Sequence, residues 1–161
     1  MEDKHPGPAP RFVVDAMLGR LARWLRVLGY DTLYSSDADD AALVRRALAD
    51  DRILLTRDVE LARRRGVRVL LISDDRVENQ LRETVKIIPH STREAFSRCL
   101  DCNAPLVDFD RSQARELVPP FVFATQTRFR RCPGCGKVYW RGTHWAHMLA
   151  TLESAGEAET N

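Results

Sequence analysis

The chain has 161 residues, of which 44% are hydrophobic and 30% charged, with a formal net charge of +2. That much apolar material excludes a globally disordered chain, and the near-neutral balance excludes attraction of nucleic acid by the whole-protein field, so any such binding must come from local patches. The length suits a single domain, or a compact domain of about 90 residues with a small appended module.

The opening MEDKHPGPAP carries an acidic pair and three prolines where a signal peptide needs a basic start and an apolar run. Residues 1–9 read as a disordered lead-in, no stretch approaches the roughly 18 apolar residues of a bilayer span, and the expected compartment is cytoplasmic. The run RFVVDAML then opens on apolar residues and reaches Asp15, as a buried parallel strand does when it delivers a carboxylate at its C-terminal end. Leu18, Leu21, Ala22, Leu25 and Leu28 recur at three- and four-residue steps, which predicts a helix stopped by Gly29, with Arg20, Arg23 and Arg26 projecting away from the apolar stripe. Next come a short strand near Thr32–Tyr34, the acidic turn SSDADD, and a helix over Asp40–Ala49 with Leu43, Val44, Ala47 and Leu48 inward. A strand over Ile53–Thr56, a helix over Asp58–Arg65, a break at Gly66 and a strand over Val67–Ile72 follow, ending before Asp74 and Asp75. A helix over Glu78–Thr84 and a short fifth strand over Val85–Ile88, closed by Pro89, complete the pattern. Such alternation implies an α/β fold: a doubly wound, mostly parallel sheet with helices on both faces, right-handed crossovers and a ligand site beyond the carboxyl ends of the strands.

From His90 onward helical periodicity fades and prolines and cysteines appear, which places a boundary near Pro89 to Arg93, with one domain over 10–92, a second over 93–152 and a polar tail over 153–161. Cys99-Leu-Asp-Cys102 and Cys132-Pro-Gly-Cys135 are two CxxC knuckles separated by the 29 residues 103–131. Four thiolates give zinc a closed tetrahedral shell with no place for water or substrate, so such a site is structural. The alternative, redox-active pairs, lacks the βαβ placement of a thioredoxin-like motif. The separation exceeds the usual ribbon spacing of about 15–20 residues, leaving room for an extra hairpin or loop around Pro119 and Pro120. A strand is expected from Gly136 to Gly142 and a short helix around Trp145 to Leu152. His144 and His147 read as packing or capping residues before fifth ligands or RNA contacts, and Trp140 and Trp145 as core before stacking platform. Arg128, Arg130, Arg131, Lys137 and Arg141 form a basic cluster that either grips phosphates or is a solvated face.

Three acidic positions stand where a doubly wound sheet brings them together: Asp15 after the first strand, the Asp37-Asp39-Asp40 group before the second helix, and Asp58 after the third strand. Gathered carboxylates raise one another's pKa, a cost that a divalent cation removes, and hard oxygen ligands suit magnesium or manganese. Taken singly, each aspartate reads as a helix N-cap before a metal ligand, and Ser36 with Asp39 resembles a capping box; it is their agreement in position at three strand ends that favours the metal. Arg20, Arg23 and Arg57 line the approach or form a solvated face, and the Thr56 hydroxyl is placed to orient a water or an aspartate.

The strings DAMLGRLARWLRVLGYDT, RILLTRD, RCLDCN and CPGCGKVYWRGTHW together resemble the Mut-seven carboxy-terminal RNase family, a PIN-like domain followed by a zinc ribbon. The resemblance runs from Arg11 to about Met148 and implies a parallel sheet, an acidic metal site and RNA hydrolysis. Asp15 matches the family's first acidic position and Asp58 the third; for the second, Asp37, Asp39 and Asp40 compete, and Asp40 is chosen for its place before AALVRRAL. The fourth has Asp74 as its candidate, and Cys99, Cys102, Cys132 and Cys135 match the ribbon's ligands. The expected function is a ribonuclease in which Asp15, Asp40 and Asp58 hold magnesium or manganese, Arg20, Arg23, Arg57, Arg131 and Arg141 contact the RNA, and structural zinc sits in the ribbon. The competing reading is a non-catalytic RNA- or ribosome-binding module with a residual acidic site. A phosphoacceptor receiver domain fares worse, because Asp15 lacks an acidic neighbour.

Overall fold

The computed structural model describes residues 8–88 and 95–157. Its first part alternates strand and helix: β1 (Phe12–Val14), α1 (Gly19–Val27), β2 (Thr32–Tyr34), α2 (Asp40–Ala49), β3 (Ile53–Thr56), α3 (Val59–Ala62), β4 (Val69–Leu71) and α4 (Val77–Ile87). The four strands form one sheet in the order β2-β1-β3-β4, and every pairing is parallel. Successive residues of β1 feed opposite faces, as the two-residue period of a strand demands. Phe12 and Val14 join Leu55 and the apolar stripe of α1 in one cluster, whereas Val13 joins Leu54 with Leu43 and Ala47 of α2 and Leu61 of α3 in another. Helices therefore cover both faces, which is why these strands are unbroken apolar runs.

The expected stripe of α1 is buried in full, but one inward and one outward assignment differ. Leu48 is exposed, because α2 contacts the sheet through Leu43 and Ala47 and turns its next residue outward. Arg26 is buried instead of projecting into solvent, since the first CxxC knuckle covers that side of α1. The expected fifth strand, Val85–Ile88, is the last turn of α4 with its C-cap residue. Leu81, Thr84 and Val85 lie at three- and four-residue steps on the core side of that helix, and Ile88, its C-cap residue in extended backbone, joins the same cluster. The helix expected over Asp58–Arg65 shortens to one turn, Val59–Ala62.

The second part carries β5 (Val107–Phe109), α5 (Arg111–Ala114), α6 (Pro120–Thr125), β6 (Phe129–Arg131), β7 (Val138–Tyr139) and α7 (Thr143–Glu157). The strands β5-β6-β7 form an antiparallel sheet. Where a hairpin or loop was expected, α5 and α6 lie between β5 and β6, with Pro120 in the first turn of α6, the one place where its missing N–H costs nothing. The helix read over 145–152 runs through Glu157, into the stretch expected as a polar tail. α7 packs on α4, and Leu100 and Met148 enter the same apolar cluster as Phe12 and Leu25. The boundary expected near Pro89 to Arg93 lies outside the described residues, as does most of the lead-in. No described helix is long and apolar enough to cross a membrane.

Candidate functional site

Strand order reverses between β1 and β3: the chain leaves β1 toward β2 on one side and leaves β3 toward β4 on the other. The crevice beyond the carboxyl ends of two such neighbouring strands is where doubly wound sheets bind ligands. Asp15 and Asp58 stand there. The β1–β3 register pairs Val14 with Leu55, which sets Asp15 beside Thr56. Thr56 is fully buried, and its hydroxyl donates to Asp15 Oδ2 at 2.7 Å while accepting from the Asp58 backbone N–H at 3.0 Å. The other Asp15 oxygen, Oδ1, accepts from the Ala16 N–H at 2.7 Å. Asp58 Oδ1 accepts from the N–H groups of Glu60 and Leu61 at 2.8 and 3.2 Å, so Asp58 also caps α3. Each aspartate thus caps a helical turn, and a single buried hydroxyl links the Asp15 carboxylate to the Asp58 backbone N–H.

Of the competing second acids, Asp39 spends its carboxylate as the N-cap of α2, accepting from the Ala42 N–H at 2.7 Å. Asp37 accepts from the Ser35 hydroxyl. Asp40, the first residue of α2, is exposed. Asp74 accepts from the Arg76 N–H at 2.8 Å and from Asn79 Nδ2 at 3.0 Å. The only set of three or more Cys, His, Asp or Glu among the described residues whose ligand atoms all lie within 4.8 Å of one another is the cysteine set. Asp15, Asp40 and Asp58 therefore offer hard oxygens without a closed cage. Carboxylate oxygens are the donor type that magnesium takes, and that ion binds through one or two of them while keeping several waters. Because Thr56 acts only through its hydroxyl, Thr56→Val is expected to keep the fold within about 2 kcal/mol and to slow any reaction dependent on Asp15 by about tenfold. Thr56→Ser should restore the rate, as a cleavage assay would show.

Among the arginines, Arg20 is exposed on α1 and Arg57 is half-buried between Thr56 and Asp58. Arg23 is drawn away from the acidic end, its Nη1 pairing with Asp101 Oδ1 at 2.9 Å in the first knuckle. Arg131 braces the second knuckle, donating to the Gly136 carbonyl at 3.1 Å. Arg141 stands over the ring of Trp145 at 5.0 Å and lines a cleft on the ribbon.

The four cysteines form a second, separate constellation. Their sulfurs lie within 4.8 Å of one another, with Cys99–Cys135 at 3.7 Å and Cys102–Cys132 at 3.1 Å. Four sulfurs each about 2.3 Å from a zinc ion stand about 3.8 Å apart, so the set can hold zinc with small adjustments. The hydroxyl of Tyr139, on β7, lies 3.1 Å from Cys99 Sγ and accepts from the Leu100 N–H at 3.1 Å. Burial opposes ionisation of Cys99, yet Tyr139 and the backbone N–H groups of Cys102 and Asp101 outweigh it and hold the thiol down to about 6. At Cys102 the Ala104 N–H favours the thiolate, but the neighbouring Cys132 and burial push it up to about 12. Filling the site with a cation therefore displaces protons. His144 and His147 are exposed on α7 and lie outside this set, so they are neither ligands nor packed.

The first knuckle docks at the far end of the sheet from Asp15, beside the first residue of the edge strand β2. Arg26 donates to the carbonyls of Thr32, Leu100 and Asp101 at 3.0, 2.8 and 3.1 Å, and Arg98 to that of Gly29 at 3.1 Å. Asn103 accepts from the Thr32 N–H at 2.9 Å and donates to Asp31 at 2.7 Å, while Asp31 also holds the buried Arg52 at 2.8 Å. Sequence reasoning overlooked Asp31, Arg52 and Asn103 and set Arg26 outward, since nothing in their spacing separates them from surface residues. Burial works against the Asp31 carboxylate, but Arg52 and Asn103 prevail and hold its pKa below the usual carboxylate value. With a folded pKa below the unfolded value of about 3.9, the stabilisation is present above about pH 4 and lost as pH falls through the folded pKa. Asp31→Asn is accordingly expected to lower the melting temperature at pH 7, with the gap to the parent closing on acid titration below that pKa.

Fold and sites together define a doubly wound α/β protein with an acidic switch-point crevice and a distinct four-thiolate centre. The chain belongs to the Mut7-C RNAse domain family, whose model matches residues 10–152. Membership implies ribonuclease chemistry with RNA as the substrate. No curated protein and no solved structure matches the chain.

Proposed function

We propose that the chain is a metal-dependent ribonuclease of the PIN-like type, acting in the cytoplasm, in which Asp15, Asp40 and Asp58 hold magnesium or manganese. The observation that carries this reading is the Thr56 hydroxyl, which fastens Asp15 and Asp58 together at the switch point between β1 and β3. A bound ion there would supply a water of lowered pKa and neutralise charge on the phosphodiester. The chain's own contribution is to fix the carboxylates: Thr56 and the Ala16 N–H occupy both oxygens of Asp15, and the first turn of α3 holds Asp58. Arg57 adjoins Asp58 in sequence and Arg20 lies five residues after Asp15; both are suited to hold the RNA backbone. The zinc ribbon, over about 93–152, assists RNA or partner binding from the other end of the sheet.

The test is cleavage of an end-labelled RNA pool by zinc-loaded protein with magnesium and manganese withheld and then restored. Cutting that returns with either ion supports the proposal; cutting that ignores both ions sinks it. A second reading is favoured by the open spacing of the acids: a non-catalytic RNA- or ribosome-binding module. It predicts RNA binding and no cleavage under any of these conditions.

A further inference from the structure

The ribbon bears a cleft of about 480 Å³ with Phe96, Phe109, Tyr139 and Trp140 among its aromatic walls and Arg128, Arg130 and Arg141 as its cations. Its volume lies in the range of about 300–1,000 Å³ typical of small-ligand sites. One carboxylate, Asp108, lines it, and that group pairs with Arg130 at 3.7 Å. Neither Arg128 nor Arg141 has a carboxylate partner among the described residues, which leaves the cleft with unpaired positive charge.

The rings differ in what they already do. Phe96 packs on Trp145 with centroids 5.0 Å apart, Phe109 lies under Arg131 at 5.1 Å, and Tyr139 lies under Lys137 at 5.7 Å with its hydroxyl committed to the cysteine site. Trp140 alone of these four has neither a ring partner nor a cation over it among the described residues. It is half-buried, anchored against the Ala114–Val118–Phe129 cluster, and so is held in place while still lining the cleft. A fixed indole with no ring or cation against it among the described residues, in a cleft also lined by two guanidinium groups without carboxylate partners, is complementary to one nucleotide: a base on the ring, phosphates on the arginines.

We infer that this cleft binds single-stranded RNA, with an unstacked base against Trp140 and the flanking phosphates held by Arg128 and Arg141. The inference rests on RNA being the substrate and deepens that reading: the ribbon selects single strands, because a duplex keeps its bases stacked and paired and offers no free base face. The cleft is built from β5, β6 and β7 and the residues around them, so it is independent of the acidic crevice in what it requires.

The test is binding of a fluorescently labelled oligoribonucleotide, single-stranded or annealed to its complement, to zinc-loaded Asp15→Asn protein without magnesium or manganese. Single strands are expected to bind at least tenfold tighter than the duplex, and Trp140→Leu to weaken single-strand binding by about tenfold. Arg128→Ala, at an exposed position that leaves the fold intact, should weaken it severalfold and flatten the salt dependence by about 0.7 in the log–log slope. Arg141→Ala should do the same. Equal affinity for both RNA forms, or unchanged affinity and salt slope in the two arginine variants, would overturn the inference. Failure of the nuclease proposal is read separately, as absent cleavage in the parent protein with the binding pattern intact.

Discussion

Asp15→Asn and Asp58→Asn are each expected to reduce ion-dependent RNA cleavage by about a thousandfold, equivalent to about 4 kcal/mol at the barrier. Asparagine keeps the size of the side chain and caps helices as well as aspartate does. The turn after β1 and the start of α3 should therefore survive, and the melting temperature should stay within a few degrees of the parent. What disappears is the negative charge. A divalent cation bound in the switch-point crevice, as proposed, would need that charge, and the Thr56 hydroxyl, which donates to Asp15 Oδ2 at 2.7 Å, would face an amide NH2 in half of the possible side-chain orientations. Asp40→Asn tests the third ligand, and a smaller loss is expected there because Asp40 is exposed at the start of α2 and tied to neither Thr56 nor Asp15. Initial rates on a labelled RNA at saturating magnesium decide the matter. Folded Asp15→Asn and Asp58→Asn proteins that cut at the parent rate would remove the crevice from the chemistry.

Removing zinc is expected to cost several kcal/mol, seen as a fall in melting temperature of about 10–20 °C at the scaling of a chain this size. The loss should not stay within the ribbon. Arg26, buried on α1, donates to two carbonyls of the first knuckle and to Thr32 of β2, and Asn103 closes the same seam through Thr32 and Asp31. When the knuckle opens, Arg26 is left with two fewer acceptors in a buried setting, a costly outcome for a charged donor. Hydrogen exchange should therefore accelerate at Thr32 and the end of α1 as well as around Cys99 to Cys102. Elemental analysis should give one zinc per chain, and Cys132→Ser should reproduce the chelator's effect. A zinc-free protein with an unchanged melting temperature would contradict this account.

Much of the fold was legible because its signals are local and redundant. Val13 and its neighbours read as a doubly buried strand, the Leu18–Leu28 stripe as a helix, and all four cysteines as one ligand set, and each assignment holds. Val85–Ile88 misled because three apolar residues in a run of four, broken only by Lys86, fit a short strand as well as a helical turn; the outcome depended on what α4 packs against, which no local window contains. Leu48 misled for the converse reason: a helix of the right period still chooses which of its apolar residues meets the sheet.

The sequence by itself determined the alternation of strand and helix, the delivery of Asp15 and Asp58 to strand ends, and the pairing of cysteines into two knuckles, since each depends on residues a few positions apart. Only the tertiary structure decided that Thr56 joins the two aspartates, that Arg26 and Asn103 bind the first cysteine knuckle to the edge of the sheet, and that Trp140 lines a basic cleft with no ring or cation against it among the described residues. Those contacts join residues as much as about 75 positions apart, and their partners are chosen by strand register and by which face a neighbouring element covers, quantities that exist only once the chain has folded.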